Sequence, residues 1–220
     1  MVEEKKIHLH ESIARALLEI GAVSLRPEAP FTWASGLKSP IYCDNRLTMA
    51  YPDVRRRIRD GFVTLLQEHA VTPDVVAGTA TAGIPHAAWL ADRLDLPMAY
   101  VRSAPKAHGR GNQIEGLISP GQGVVVVEDL VSTGESSIQV VEAVREAGAN
   151  VLCVLAIFTY GLPQSVSAFK NSGTPLFTLT NYNSLVQVAL EERRIDGAAL
   201  KTLQKWQTDP AAWSDQRMQP

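Results

Sequence analysis

The sequence predicts an α/β protein with a mostly parallel central sheet and helices on both faces of it. Short, continuous apolar runs such as VVVV at residues 124–127 are typical of strands that are buried on both faces. These runs alternate along the chain with segments whose apolar residues recur at helical spacing. A stretch rich in Pro, Ser, Gly and aromatic residues at 22–48 predicts short strands and turns ahead of this alternation.

The individual elements follow from the same patterns. Residues 7–20 have helical apolar spacing, which Gly21 stops, and helical spacing returns at about 52–69. Beyond residue 70, strands and helices alternate, ending in a looser helix and a last strand. The segments are PDVVAG, IPHAAWLADRL, AYV, GVVVVED, SSIQVVEAVREAG, NVLCVLAIF and PLFTL. The tail from about residue 181 is predicted to be helical, with Trp206 and Trp213 as packing anchors.

Composition and charge narrow the class of protein. The 220 residues fit one compact α/β unit, and a net charge of -2 argues against general nucleic-acid binding. The N-terminal segment is too charged for a signal peptide, and the longest apolar run is too short to span a bilayer. Cys43 and Cys153 are far apart and form no CxxC motif. We therefore expect a cytoplasmic protein with no membrane or nucleic-acid partner.

The loop GTATAG, residues 78–83, follows the first strand of the alternating region. Ligands in parallel α/β sheets bind at the carboxyl ends of the strands. The small side chains let backbone N–H groups approach an anion closely, and the following helix adds the positive end of its dipole. The alternative interpretation is a tight strand–helix turn without a ligand.

The loop VRSAPKAHGRGNQIEG, residues 101–116, follows the second strand. It carries Arg102, Lys106, His108 and Arg110 among several glycines, which is unusual for a loop in a compact domain. One interpretation is a solvated excursion of the surface. The other is a mobile lid that brings cations to a polyanion.

The third loop follows a Val-rich strand in the stretch VVVVEDLVSTGES, residues 124–136. Two adjacent carboxylates, Glu128 and Asp129, stand before a loop suited to a phosphate. One interpretation makes Asp129 the cap of the next helix, but Ser132 or Thr133 could supply that cap. Carboxylates accept hydrogen bonds from vicinal hydroxyls, so the pattern predicts a ribose 5-phosphate ligand whose sugar faces the acids.

These residues resemble a known family. VVVVEDLVSTGES resembles the 5-phosphoribosyl 1-pyrophosphate (PRPP) motif of type I phosphoribosyltransferases. The more specific resemblance is to the orotate phosphoribosyltransferases, and it covers nearly the whole chain. FTWASGLKSPIYCDNR at 31–46 is similar to their N-terminal hood. GTATAGIPHAAWLAD at 78–92 is similar to their pyrophosphate loop, and residues 101–116 are similar to their catalytic loop.

The resemblance implies a type I phosphoribosyltransferase fold with a small N-terminal hood. Residues 1–50 would form an N-terminal helix and the hood, 51–180 the PRPP-binding α/β core and 181–220 a C-terminal helical extension. It further implies Mg²⁺ as cofactor and a homodimer whose catalytic loop reaches the neighbour's active site. Members of the family often have a non-proline cis peptide in the pyrophosphate loop. The implied reaction converts orotate and PRPP to orotidine 5'-monophosphate and pyrophosphate.

The resemblance also assigns roles to residues. Lys106, His108, Glu128 and Asp129 would be the catalytic residues, with His108 either a pyrophosphate contact or a general acid. Arg102, Lys106 and His108 would contact the pyrophosphate of PRPP, and Glu128 and Asp129 the ribose hydroxyls. No protein metal ligands are assigned. The pyrophosphate loop and the 5'-phosphate loop would contribute Thr79, Ala80, Thr81, Ala82, Leu130, Val131, Ser132, Thr133, Gly134, Glu135 and Ser136.

The orotate contacts are predicted from the hood. Ser132 would lie near orotate by resemblance. Arg46 or Lys38 is our candidate for the charge that reads the carboxylate of orotate, because the donors of an arginine form a fork that suits a planar carboxylate. Arg46 could instead pair with Asp44. Two other functions remain open at this point, a phosphoribosyltransferase for another base and a PRPP-sensing regulator.

Overall fold

The structure is a computed structural model, and it describes residues 2–33, 35–102 and 113–217. The chain begins with α1 (Val2–Glu19), β1 (Val23–Leu25), β2 (Phe31–Thr32), β3 (Lys38–Ser39), β4 (Ile41–Cys43) and the 3-10 helix η1 (Asn45–Ala50). It continues with α2 (Pro52–Glu68), β5 (Val75–Thr79), α3 (Gly83–Leu94), β6 (Met98–Val101), β7 (Ile114–Glu115), β8 (Gly123–Val131) and α4 (Glu135–Glu146). The last elements are β9 (Asn150–Thr159), α5 (Pro163–Ser172), β10 (Leu176–Asn181), α6 (Tyr182–Glu191), α7 (Gly197–Thr208) and α8 (Pro210–Asp215).

The central sheet confirms the predicted fold class. Within the described residues it has six strands in the order β10-β9-β8-β5-β6-β7. The pairings are parallel from β10 to β6, and β7 joins the edge antiparallel to β6. Val125 and Val127 of β8 pack in one hydrophobic cluster with α1, α2, α3 and α6, while Val124 and Val126 pack in a second with α4 and α5. Helices therefore cover both faces.

The strand β7 is a difference from the sequence-based prediction. Residues 101–116 were expected to form one long loop, but its end returns to the sheet and pairs Ile114 with Val101 and Glu115 with Tyr100. A two-residue strand is too short to show the alternation that identifies a strand in sequence. The hydrophobic packing of Ile114 against the α4-side cluster explains why the chain turns back here.

The hood, which we define as residues 22–50, sits over the carboxyl edge of the sheet. Its strands pair antiparallel, β1 with β4 and β2 with β3. The C-terminal helices hold it from one side: the backbone N–H of Lys38 donates to Ser214 Oγ at 2.9 Å, and the rings of Trp33 and Trp206 meet edge-on. Trp206 and Trp213 are buried, which confirms both as packing anchors. None of the described helices is both long and apolar enough to cross a membrane.

Candidate active site

A cavity of about 740 Å³ lies between the hood, the loop that follows β5 and the end of β8. It therefore opens at the carboxyl edge of the parallel strands, where ligands are expected in this architecture. Three of the four predicted regions contribute to it: the end of β8, the loop after β5 and the CDNR segment of the hood. Its lining residues are Cys43, Asp44, Arg46, Met49, Thr81, Ala82, Pro85 and Asp129.

The two adjacent acids do not share one environment. Asp129 is partly exposed and lines the cavity. Glu128 is only 4% exposed, and its carboxylate accepts hydrogen bonds from Ser137 Oγ at 3.0 Å and from Ser136 Oγ at 3.4 Å. The expectation placed both acids toward the sugar, whereas the structure turns Glu128 toward the first turn of α4. Asp129 is the acid that is placed to meet a ligand.

Burial perturbs both carboxyl groups. Desolvation, with a further contribution from the charge of Asp129, raises the pKa of Glu128 well above its usual range. Desolvation also raises the pKa of Asp129, and its interaction with Glu128 opposes that rise. Two carboxyl groups this close repel each other when both are ionised, so the pair tends to keep one proton. The more deeply buried Glu128 carries that proton more readily than Asp129 does.

The loop between β8 and α4 corrects one sequence-based prediction. Ser132 or Thr133 was expected to cap α4, but the N-cap is Gly134, with φ of 86°, and no side chain caps the helix in the described structure. A Cβ at Gly134 would also lie 3.2 Å from the ring of Phe169. The first N–H groups of α4 are therefore left without a side-chain acceptor, which suits a helix terminus that binds phosphate.

The loop between β5 and α3 packs tightly against β8. The peptide between Ala80 and Thr81 is cis, as is often the case in the family that the sequence resembles. The N–H of Ala80 donates to the carbonyl of Val101 at 2.9 Å, which ties the loop to the neighbouring strand β6. A Cβ at Gly83 would collide with the carbonyl oxygen of Val127, so only glycine lets α3 begin here. This contact brings Thr81 to the same cavity as Asp129.

The two hood residues proposed to read orotate have different surroundings, and one of them lines the cavity. The guanidinium of Arg46 forms two hydrogen bonds with Asp44, of 2.6 Å and 2.9 Å, which is the ion pair that the sequence also allowed. The pairing lowers the pKa of Asp44. Arg46 nevertheless lines the cavity, with its side chain 61% exposed. The ammonium group of Lys38 donates to Thr32 Oγ1 at 2.9 Å, and Lys38 is not among the described lining residues.

The lid predicted from sequence is described only at its two ends. Arg102 lies at the end of β6, and its guanidinium is 3.7 Å from the carboxylate of Glu115. Its backbone N–H donates to the carbonyl of Gln113 at 2.9 Å. Lys106 and His108 lie outside the described residues, so their assigned contacts stay predictions. Among the described residues, no group of three or more His, Cys, Asp and Glu side chains could hold a metal ion.

Sequence reasoning missed Asn45. Its side-chain amide donates to the backbone carbonyl of Asp129 at 2.7 Å, a bond that joins the hood to the end of β8. An asparagine between an acid and an arginine carries no distinctive signal, because the bond depends on two segments 84 positions apart.

Comparison with known proteins agrees with this geometry. The phosphoribosyl transferase domain family matches residues 51–193. The orotate phosphoribosyltransferase of Bacillus pumilus is 59% identical over 202 residues, which cover 92% of this chain and 95% of that protein. The orotate phosphoribosyltransferase of Listeria monocytogenes is 57% identical over 205 residues, covering 93% and 98%.

Solved structures show the same fold. The crystal structure of orotate phosphoribosyltransferase from Aeropyrum pernix superposes with a TM-score of 0.70 at 30% identity, and covers 84% of this chain and 99% of that one. The structure of Leishmania donovani UMP synthase superposes with a TM-score of 0.74 at 26% identity, and covers 90% of this chain and 42% of that one.

The fold, the acid-bearing edge of its sheet and the matched domain define the class of protein as a phosphoribosyltransferase. Within that class, the similarity to enzymes of one base extends over 92% of the chain and therefore well beyond the matched domain. The chain belongs to the orotate phosphoribosyltransferase family.

Proposed function

We propose that this protein transfers the 5-phosphoribosyl group of PRPP to orotate, giving orotidine 5'-monophosphate and pyrophosphate in pyrimidine (UMP) biosynthesis. The observation that carries this proposal is the 59% identity to a curated orotate phosphoribosyltransferase over 92% of the chain. The position of the cavity at the carboxyl edge of the sheet supports it, because its 740 Å³ can accommodate a sugar phosphate beside a planar base.

The ribose 5-phosphate is assigned to the end of β8 and the loop that follows it. The uncapped start of α4 presents backbone N–H groups and a positive dipole end to the 5'-phosphate. Asp129, the acid on the cavity wall, would accept hydrogen bonds from the ribose hydroxyls, and the buried Glu128 would support the loop from behind through Ser136 and Ser137. The other residues in this assignment are Leu130, Val131, Ser132, Thr133, Gly134 and Glu135.

The pyrophosphate is assigned to the opposite side of the cavity. Thr79, Ala80 and Thr81 would hold it through backbone groups of the loop after β5, and Arg102, Lys106 and His108 would supply positive charge. As pyrophosphate leaves the anomeric carbon, positive charge develops on the ribose. The cations would stabilise the leaving group, and the carboxylate of Asp129 would stabilise the ribose.

Mg²⁺ is proposed as the cofactor, bound together with PRPP. This ion prefers phosphate oxygens, retained waters and one or two carboxylates to a cage of protein ligands. Asp129 and Asp44 are the described acids on the cavity wall, and because Asp44 is already paired with Arg46, Asp129 is the side chain that fits this role. When bound, the ion would neutralise charge on the pyrophosphate.

The first test is a spectrophotometric assay of the purified protein with Mg²⁺, PRPP and orotate. We expect loss of the orotate absorbance and stoichiometric release of pyrophosphate, both abolished by removal of Mg²⁺. Parallel reactions contain adenine, uracil or no base. Turnover of another base but not of orotate would replace the assigned substrate. Tight PRPP binding with no turnover would favour a PRPP-sensing protein.

Arg46 is proposed to bind the carboxylate of orotate from its place on the cavity wall. For this it must rotate away from Asp44 or share its donors with both carboxylates, and the exposure of its side chain permits either. We expect Arg46→Ala to raise the KM for orotate about tenfold, since the variant loses the charge-assisted hydrogen bonds to the carboxylate of orotate. The KM for PRPP should change little.

Arg59→Ala is the matched control for Arg46→Ala. Arg59 also pairs through two hydrogen bonds with a neighbouring acid, Asp60, but it lies on α2 outside the cavity lining. It should leave both KM values unchanged. An unchanged orotate KM in Arg46→Ala would remove Arg46 from the orotate site.

A homodimer with shared catalytic loops is proposed, in the cytoplasm. An interface beside the cavity is supported by four large apolar side chains that are each 38–43% exposed: Tyr42, Leu47, Met49 and Tyr51.

Two variants are designed to test the shared loop. We expect Lys106→Ala and Asp129→Asn each to lower kcat by about two to three orders of magnitude. If the loop crosses to the neighbour, a hybrid dimer of the two variants has one site free of both changes.

Mixing the two inactive variants tests this arrangement. Random reassortment should restore about a quarter of the wild-type activity, because about half of the dimers are hybrids with one intact site each. Co-expression with two affinity tags gives the hybrid directly. Activity that stays at the level of the separate variants would show that each loop serves its own subunit, and sedimentation would report the oligomeric state independently.

A further inference from the structure

β9 runs beside β8 as far as Val131, but on the opposite side of β8 the backbone around Asp129 is held by side chains instead of by a strand. β5 pairs with β8 as far as Val127, and the described register between the two strands ends there. Two residues later, the N–H of Asp129 donates to Glu128 Oε1 at 3.1 Å, and its carbonyl accepts the side-chain amide of Asn45 at 2.7 Å. Asn45 therefore takes the place that a strand would have on this side of β8.

The orientation of the Asn45 amide is fixed from its other end. Asn45 is 1% exposed, and its Oδ1 accepts a hydrogen bond from Cys43 Sγ at 3.3 Å. Burial, with the nearby charges of Asp129 and Asp44, raises the pKa of Cys43 well above its usual range, so the thiol keeps its proton as a donor. With Oδ1 occupied in this way, Nδ2 faces the carbonyl of Asp129.

Asn45 also connects the two sides of the cavity. It stands between Asp44 and Arg46, and both of them line the cavity that Asp129 lines. Thr48 Oγ1 donates to the carbonyl of Asn45 at 2.6 Å, which holds the first turn of η1. One buried amide thus sets how far the hood's charged pair stands from the carboxylate at the end of β8.

We propose that Asn45 is a positioning residue, which orients the Asp129 carboxylate toward the ribose of the bound substrate. This inference rests on the proposed function. Asn45 touches no reacting atom, so its effect passes through Asp129. An acid displaced by a fraction of an ångström still permits substrate binding, but it stabilises the charge that develops on the ribose less well.

The test is steady-state kinetics of Asn45→Ala with PRPP and orotate. We expect kcat to fall about 10- to 100-fold, with both KM values within about threefold of wild type. Ser39→Ala is the control, because Ser39 is a fully buried hood residue whose hydroxyl bonds only within the described part of the hood, to Ile41. It should lower Tm comparably and leave kcat within about threefold.

The variant Asp129→Asn separates positioning from general loosening. If Asn45 acts through the Asp129 carboxylate, adding Asn45→Ala to Asp129→Asn should lower kcat by less than about threefold. If the kcat losses of Asn45→Ala and Asp129→Asn multiply in the double variant, the proposal is overturned. It is also overturned if Ser39→Ala loses as much kcat as Asn45→Ala. If Asn45→Ala does not fold, Asn45→Ser enters the same comparison. Wild-type protein without turnover refutes the proposed function, whereas active wild type with an equally active Asn45→Ala refutes the positioning alone.

Discussion

Glu128 holds a carboxyl group where water does not reach it. The side chain accepts hydrogen bonds from Ser137 and from the backbone N–H of Asp129, but these do not replace the hydration that an ionised carboxylate has in water. Its pKa is therefore raised. At the residue scale, Asp129 therefore faces the cavity, whereas Glu128 is buried. The hydrogen bonds of Glu128 link the end of β8 to the start of α4.

The raised pKa of Glu128 predicts how stability depends on pH. The folded protein binds this proton more tightly than the unfolded chain does. The resulting contribution to the free energy of unfolding is fully present below the ordinary carboxyl pKa and is lost as pH rises through the raised pKa. Since glutamine does not titrate, we expect Glu128→Gln to become more stable relative to wild type between about pH 5 and pH 9.

Urea unfolding of wild type and Glu128→Gln at several pH values measures this difference. His86 also contributes at the acidic end of this range, because burial lowers its pKa from 6.5 to about 4, so its contribution to stability is lost as pH drops through that interval. The contribution of His86 is common to both proteins and cancels when one is subtracted from the other. A stability difference that does not change with pH would contradict the raised pKa of Glu128.

At the scale of elements, the close approach of α3 to β8 builds one side of the cavity. A Cβ at Gly83 would collide with the carbonyl oxygen of Val127 and lie 3.5 Å from the Cα of Glu128. A Cβ at Gly78 would lie 3.0 Å from Ala87 Cβ. These two glycines let the strand, the loop and the helix fold back on one another, and the loop that carries Thr81 is consequently held beside the acid pair.

Gly83→Ala should therefore destabilise the protein by about 1–3 kcal/mol, since the new methyl group meets backbone that cannot move away cheaply. Gly197→Ala is the matched control, because Gly197 also begins a helix and a Cβ there meets open space. That change should be neutral or stabilising by about 0.4–1 kcal/mol. Chemical denaturation measures both, and equal effects at the two positions would contradict the packing argument.

The elements that could be predicted from sequence are those with a repeating pattern. Buried strands show it as a continuous apolar run and amphipathic helices as apolar residues at helical spacing. The existence and order of these elements could therefore be predicted from the sequence. β7 has two residues and no period. The inward turn of Glu128 depends on Ser137, nine positions away on a different element. A contact between residues on different elements is not visible in the sequence, because it depends on how the folded elements pack.

Candidate site residues divide in the same way. Asp129 and Thr81 were predicted because loops at the carboxyl ends of parallel strands must share an edge, and both line the cavity. Arg46 was left with two alternatives, since local sequence cannot decide between a salt bridge to Asp44 and a free donor. Asn45 was missed because its partner carbonyl belongs to a strand far along the chain.

At the scale of the whole molecule, the C-terminal extension joins the hood to the sheet. Trp206 of α7 is fully buried, and its ring lies 5.7 Å from that of Trp33 in the hood and 5.5 Å from that of Tyr160 at the end of β9. Tyr182 of α6 lies 5.5 Å away on a further side. Four aromatic rings from four parts of the chain thus meet, which implies that hood, sheet and C-terminal helices unfold together.

We expect Trp206→Ala to lower the free energy of unfolding by about 3–5 kcal/mol in a single transition, because it removes a large side chain from this junction. Trp206→Phe should cost much less. The indole nitrogen of Trp206 is buried without a hydrogen-bond partner among the described residues, so phenylalanine keeps an aromatic ring and discards an unsatisfied donor.

Val166→Ala is the control for the junction, since Val166 is 60% exposed and should change stability by less than about 0.5 kcal/mol. Equilibrium unfolding followed both by tryptophan fluorescence and by circular dichroism reports the junction and the whole fold in one experiment. Coincident transitions, with Trp206→Ala far below Trp206→Phe, would support one cooperative unit. A separate early transition in Trp206→Ala would mean that the sheet is stable without the hood. The C-terminal helices would then stabilise the hood and not the sheet.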